Sequence, residues 1–94
     1  MTKVEISRKT VAVLRKEGAN KIAIFGSYAR GEPGPDSDLD ILVEFSSAKS
    51  LLDIVRIERV LSEALGVRVD LLTEKSLSPY LADRIRGEME IIYQ

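Results

Sequence analysis

Gly26-Ser27-Tyr28-Ala29-Arg30-Gly31, then a short loop, then Ser37-Asp38-Leu39-Asp40-Ile41-Leu42-Val43 is the stretch that decides how this chain is read. Asp38 and Asp40 stand at i and i+2 in an apolar run of Leu39, Ile41, Leu42, Val43 and Phe45. In a strand both carboxylates then face one side, and Leu39, Ile41 and Val43 face the other. Ten residues separate Asp38 from Ser27, and the Gly26-Ser27 pair closes an earlier apolar run, Ile22, Ile24 and Phe25. Glycine lets a backbone approach an anion closely, N–H groups at a helix start favour negative charge, and the serine hydroxyl adds a donor. Alone, Gly-Ser is an ordinary strand-to-helix turn and Asp-x-Asp an ordinary turn cap. Combined at this spacing, with the acids inside an apolar strand, they read as a phosphate holder beside paired acids.

The elements around this stretch follow from periodicity and capping. Residues 4–17 have helical composition with an imperfect apolar face (Val4, Val11, Leu14), and Gly18 supplies a stop. Lys21–Phe25 reads as a strand, Ser27–Arg30 as a helical turn capped by Ser27, Gly31–Ser37 as a loop, and Asp38–Phe45 as the second strand. Ser50 and Asp53 match a capping box at the head of a helix. Its stripe of Leu51, Ile54, Ile57, Leu61, Ala64 and Leu65 runs to Gly66. Val67–Leu72 reads as a third strand, Ser78-Pro79 as the start of a short helix ending at Gly87, and Met89–Tyr93 as a closing strand. The order αβ(α)βαβαβ predicts an α/β (α+β) layer structure. A length of 94 residues, with no repeat, low-complexity tract or linker, predicts a single domain over 1–94.

Composition removes whole classes of chemistry. Cysteine and histidine are both absent, which excludes disulfides, Cys/His zinc sites, thiol nucleophiles and histidine acid–base catalysis. No apolar run approaches the about 20 residues of a membrane span, and the charged start lacks a signal-peptide core, so a cytoplasmic protein is expected. A net charge of -1 argues against direct nucleic-acid binding by bulk electrostatics. The charge is uneven, with a balance of +5 over residues 1–30 and -6 over residues 31–94. That leaves two readings of the N-terminal segment, a solvated basic helix face or a basic wall beside a polyphosphate or acidic partner.

The acids carry the chemistry. Asp70, on the polar face of the third strand, would stand beside Asp38 and Asp40 if that strand is adjacent. Two carboxylates about 4 Å apart repel by about 4 kcal/mol at an effective dielectric of about 20. A chain that converges three must protonate one or bind cations, and hard Mg²⁺ or Mn²⁺ suits oxygen ligands. The Gly-Ser turn is neither a Walker loop nor a dinucleotide fingerprint, since no Gly-Lys-Ser/Thr and no Gly-x-Gly-x-x-Gly occurs. Arg30 fits a phosphate contact, a brace for an aspartate or a structural ion pair.

Taken together, Gly26-Ser27, the ten-residue spacing, Asp38-Leu39-Asp40 and Val69-Asp70-Leu71-Leu72 resemble the signature of the minimal nucleotidyltransferase family, within the DNA polymerase β-like nucleotidyltransferase superfamily. The resemblance spans essentially the whole chain. It implies a nucleotidyltransferase palm, a mixed β-sheet flanked by helices, that transfers NMP from an NTP with two Mg²⁺ ions. By the same resemblance Gly26, Ser27 and Arg30 would bind the nucleotide. Asp38, Asp40 and Asp70 would be both the catalytic residues and the metal ligands, Asp70 holding the ion nearer the acceptor. Stand-alone members resemble antitoxins paired with HEPN-domain ribonuclease toxins, which implies ATP and a HEPN toxin as partners, AMP transfer to a toxin tyrosine, and homo- or hetero-oligomers. Two alternatives stay open: a non-catalytic antitoxin acting by occlusion, and transfer to a small molecule. The second is weakened because residues 71–94 leave little chain for an acceptor-binding domain.

Overall fold

The computed structural model describes residues 2–34 and 37–94. Pro35 and Asp36, in the expected Gly31–Ser37 loop, lie outside the described residues. The elements are α1 (Lys3–Lys16), β1 (Ala19–Phe25), β2 (Leu39–Phe45), α2 (Leu51–Leu65), β3 (Val69–Thr73), a single 3-10 turn (Glu74–Ser76), α3 (Pro79–Arg86) and β4 (Glu90–Tyr93). Each helix and strand read from the sequence is present except the helical turn expected at Ser27–Arg30. The 3-10 turn was not foreseen, and β3 begins two residues later than its apolar pattern suggested.

Capping chemistry sets the ends of α2 and α3. Ser50 accepts from the Asp53 backbone N–H while the Asp53 carboxylate accepts from that of Ser50, a reciprocal box that also holds the Asp53 carboxyl below its usual range. Gly66, in the left-handed conformation at φ 70°, ends α2 and donates its N–H to the Ser62 carbonyl. Ser78 caps α3 with Pro79 at its first position, and Gly87 closes it.

The strands form one mixed sheet in the order β3-β2-β1-β4. β1 pairs antiparallel with both β2 and β4, and β2 pairs parallel with β3. The parallel pair needs a crossover, which α2 supplies. On one face α1 and α2 bury Ile6, Leu14, Ile57, Leu61 and Leu65 against Ile22, Ile24, Leu39, Ile41, Val43, Val69 and Leu71. On the other face Ile85 of α3 packs with Ala23 and Leu42, flanked by Phe25, Leu72, Leu77 and Met89. β2 is therefore covered on both sides, which explains its nearly unbroken apolar run.

Two helical faces differ from their sequence reading. In α1 the buried line is Ile6, Thr10 and Leu14, whereas Val4 is exposed. A threonine in the middle of that line is what made the apolar periodicity look imperfect. In α2 the buried residues are Ile57, Leu61 and Leu65, with Ile54 partly packed, while Leu51 and Ala64 are exposed. Three of the N-terminal basic side chains have partners: Lys3 pairs with Glu90 at 2.6 Å, Lys21 with Glu74 at 3.4 Å, and Arg15 lies over the Tyr93 ring.

Candidate active site

Strand direction brings the candidate residues together. Because β2 runs antiparallel to β1, the start of β2 lies beside the end of β1. Because β3 runs parallel to β2, its start lies at the same end. Phe25 is the register partner of Asp40, and Asp40 that of Asp70, so Gly26 follows directly where the two acids stand. Asp38 immediately precedes β2, where the Leu39 N–H donates to the Arg68 carbonyl at 2.8 Å. Four of the six residues singled out from the sequence, Gly26, Asp38, Asp40 and Asp70, thus meet at one end of the sheet. The acids project from the face opposite α1 and α2, as alternation with Leu39 and Ile41 requires.

Gly26 is shaped around Asp40. It has φ 73°, and a Cβ placed on it would overlap Asp40 Oδ2 and lie 3.2 Å from Asp40 Cγ. Both the backbone conformation and the contact call for glycine. The following residues form successive turns rather than a helix. Arg30 N–H donates to the Gly26 carbonyl at 3.1 Å and Glu32 N–H to the Ser27 carbonyl at 2.9 Å. Gly26, not Ser27, therefore heads this turn, which corrects the capping role expected for Ser27: the first turn hydrogen bond, from Arg30 N–H, goes to the Gly26 carbonyl. Tyr28 and Ala29 anchor the turn against the helix-covered core, and Arg30 stays exposed.

The carboxylates sit close enough to disturb one another. Burial first, then Asp70, Asp38 and Glu88, push the Asp40 carboxyl above its ordinary value, with Arg30 partly opposing them. Charging Asp40 in the fold is thus unfavourable. Stability should fall as pH rises from the unfolded carboxyl's value, about 3.8, through the raised folded one. Without divalent cations, Asp40→Asn should therefore melt higher than the wild type at pH 7, the gap closing on acidification toward the unfolded value. Melting curves across pH check this, and an equal or lower Asp40→Asn midpoint at pH 7 contradicts the repulsion.

The sequence missed two neighbours. Arg68, largely exposed, reaches Asp38 at 3.7 Å, a weak contact that leaves the carboxylate accessible. Glu88 accepts from the Gly26 N–H at 3.2 Å and from the Arg30 guanidinium at 3.3 Å. Arg30 accordingly braces a glutamate rather than an aspartate. Neither partner had a local signal: Arg68 arrives through β2–β3 pairing, and Glu88 through β1–β4 pairing, where Ile24 faces Glu90.

Does this end of the sheet suit a divalent cation? Its donors are carboxylate oxygens with mutual repulsion to relieve, which fits a hard ion. Among the described residues no three acids close into a ready-made cage.

A mixed sheet flanked by helices, with paired acids opposite a glycine turn, defines the palm of a nucleotidyl-transferring enzyme. Residues 7–92 match the nucleotidyltransferase domain family, and the chain belongs to it. Enzymes of this family use divalent metal ions. The chain is 54% identical over 84 residues to a Methanocaldococcus jannaschii protein named as a candidate protein adenylyltransferase, covering 89% of this chain and 90% of that one. It is 44% identical to the protein adenylyltransferase MntA of Thermococcus cleftensis, over 77% of this chain and 73% of that one. Among solved structures it resembles a toxin–antitoxin crystallised with AMP-PNP, with TM-score 0.86 and 26% identity, covering 93% of this chain and 72% of that one.

Proposed function

We propose that this chain is a Mg²⁺- and ATP-dependent protein adenylyltransferase, the cytoplasmic antitoxin of a pair whose HEPN ribonuclease toxin it modifies on a tyrosine. The observation that carries the reading is the meeting of Gly26, Asp38, Asp40 and Asp70 at one end of the sheet, the two strand acids in register. The relatives' names and the likeness to a toxin–antitoxin structure support the choice of a protein as acceptor.

In this reading Gly26 N–H and the Ser27 hydroxyl hold the triphosphate, and the Arg30 guanidinium adds a planar donor pair suited to phosphate. Asp38, Asp40 and Asp70 would hold the Mg²⁺. Bound there, the ions neutralise phosphate charge and make the acceptor hydroxyl easier to deprotonate. The acceptor oxygen bonds to the α-phosphorus, the bond to the bridging oxygen breaks, and pyrophosphate leaves. Asp70 is exposed at the start of β3, which supports access by a hydroxyl from a second protein, and its carboxylate would accept that proton.

The likeness to a toxin–antitoxin structure favours a protein over a small molecule as acceptor.

Asp70→Asn separates catalysis from occlusion. The variant should still bind ATP through Asp38, Asp40 and the glycine turn, while AMP transfer falls about a hundredfold or more. Intact mass of a candidate HEPN partner, after incubation with ATP and Mg²⁺, reads the transfer directly. Mass gains in AMP units with the wild type, and an unmodified, active toxin with Asp70→Asn, support the enzyme. Full protection by a folded Asp70→Asn with no AMP added would establish neutralisation by binding alone.

A further inference from the structure

We propose that Glu88 is an internal substitute for nucleotide phosphate, a carboxylate that occupies the Gly26 N–H and the Arg30 guanidinium until a triphosphate displaces it, and so sets which nucleotides can enter. The inference rests on the reading of Gly26 and Arg30 as triphosphate donors. Both oxygens of one carboxylate are engaged: Oε1 accepts from the Gly26 N–H at 3.2 Å and Oε2 from the Arg30 guanidinium at 3.3 Å. An anion held by one backbone amide and one guanidinium has the donor set of a phosphate oxygen pair.

The backbone that carries Glu88 is fixed. Its N–H donates to the Ile85 carbonyl at 3.0 Å, that of Met89 donates to the same oxygen at 2.8 Å, and Ile85 is buried under the sheet. β4 then pairs with β1, which holds this turn against the glycine turn. The side chains are freer, with 51% of Arg30 and 37% of Glu88 exposed. Water can therefore replace either partner, and rotation of the Glu88 side chain alone clears both donors. An exposed pair of this kind is weak enough for a polyanion to break, yet its cost falls on every ligand that uses the two donors. A triphosphate brings enough charge to displace one carboxylate, whereas a nucleoside brings none. Glu88 would accordingly favour triphosphates over poorer ligands at some cost in affinity.

The test measures binding of AMP-PNP with Mg²⁺ and, separately, of inorganic tripolyphosphate, to the wild type, Glu88→Gln and Glu88→Ala, with adenosine as control. Both variants keep the main-chain turn, and circular dichroism verifies their fold. The Kd for AMP-PNP and for tripolyphosphate should fall about two- to fivefold in each variant, with adenosine binding unchanged. Unchanged or weaker triphosphate binding in both folded variants would overturn the proposal and leave Glu88 a structural tie. Weakening seen only with Mg²⁺ would overturn it too, making Glu88 a cation ligand. Wild-type binding of AMP-PNP keeps the nucleotide reading whatever the variants do. Absence of triphosphate binding in all three proteins would remove that reading, and this inference with it.

Discussion

Asp40→Asn is expected to lower nucleotidyl transfer by about a thousandfold or more, since stabilising phosphoryl charge through metal is worth several kcal/mol. The substitution keeps the shape of the side chain and removes its charge. Asp40 is the central acid, with Asp70 as its register partner in β3, Gly26 against its carboxylate and Asp38 two residues before it. The same change should raise the melting temperature of the metal-free protein at neutral pH, because the repulsion on the Asp40 carboxyl disappears. Loss of transfer together with gained stability would mark a residue whose strain serves the reaction. Transfer assays at saturating Mg²⁺ and melting curves without it are both needed. Near wild-type transfer by Asp40→Asn would sink the metal-acid reading.

Gly26→Ala should damage both fold and function. Its left-handed φ of 73° disfavours any side chain, and the new Cβ meets Asp40 Oδ2. Backbone strain of that kind costs about 1–3 kcal/mol before the overlap is counted. Relief requires Asp40 to turn away, which removes it from the acids, or Gly26 to shift, which moves its N–H. Either way transfer should fall at least as far as stability predicts. The double variant Gly26→Ala, Asp40→Ala separates the causes: removing the Asp40 carboxylate should recover the part of the stability lost to overlap and leave the part due to φ. Additive losses in denaturant unfolding would show that the two residues do not meet.

Much of this arrangement was legible before any coordinates. Alternation from Leu39 to Val43 told which way Asp38 and Asp40 face, because a strand's period of two permits no other outcome. Ser50, Asp53 and Gly66 bounded α2, and Ser78, Pro79 and Gly87 bounded α3, since capping is a matter of neighbours three or four residues apart. The α1 face was not legible. Thr10 sits fully buried between Ile6 and Leu14, and only packing against the sheet distinguishes that line from the exposed Val4. Ser27 was misplaced by one residue because Gly26, with its left-handed φ, already begins the turn.

Composition and residue order fix the chemical inventory: carboxylates without histidine or cysteine, a glycine that precedes a hydroxyl, and two acids on one strand face. They fix as well the succession of helices and strands, which local periodicity and capping encode. Tertiary structure alone decided that β2 and β3 run parallel and in register at Asp40 and Asp70, and that β4 lies beside β1. Those pairings join residues tens of positions apart, through hydrogen bonds that any backbone can make. No local pattern of side chains announces them. That is why Asp70 entered as a conditional neighbour and why Glu88, carried to Gly26 by β4, went unseen until the sheet was assembled.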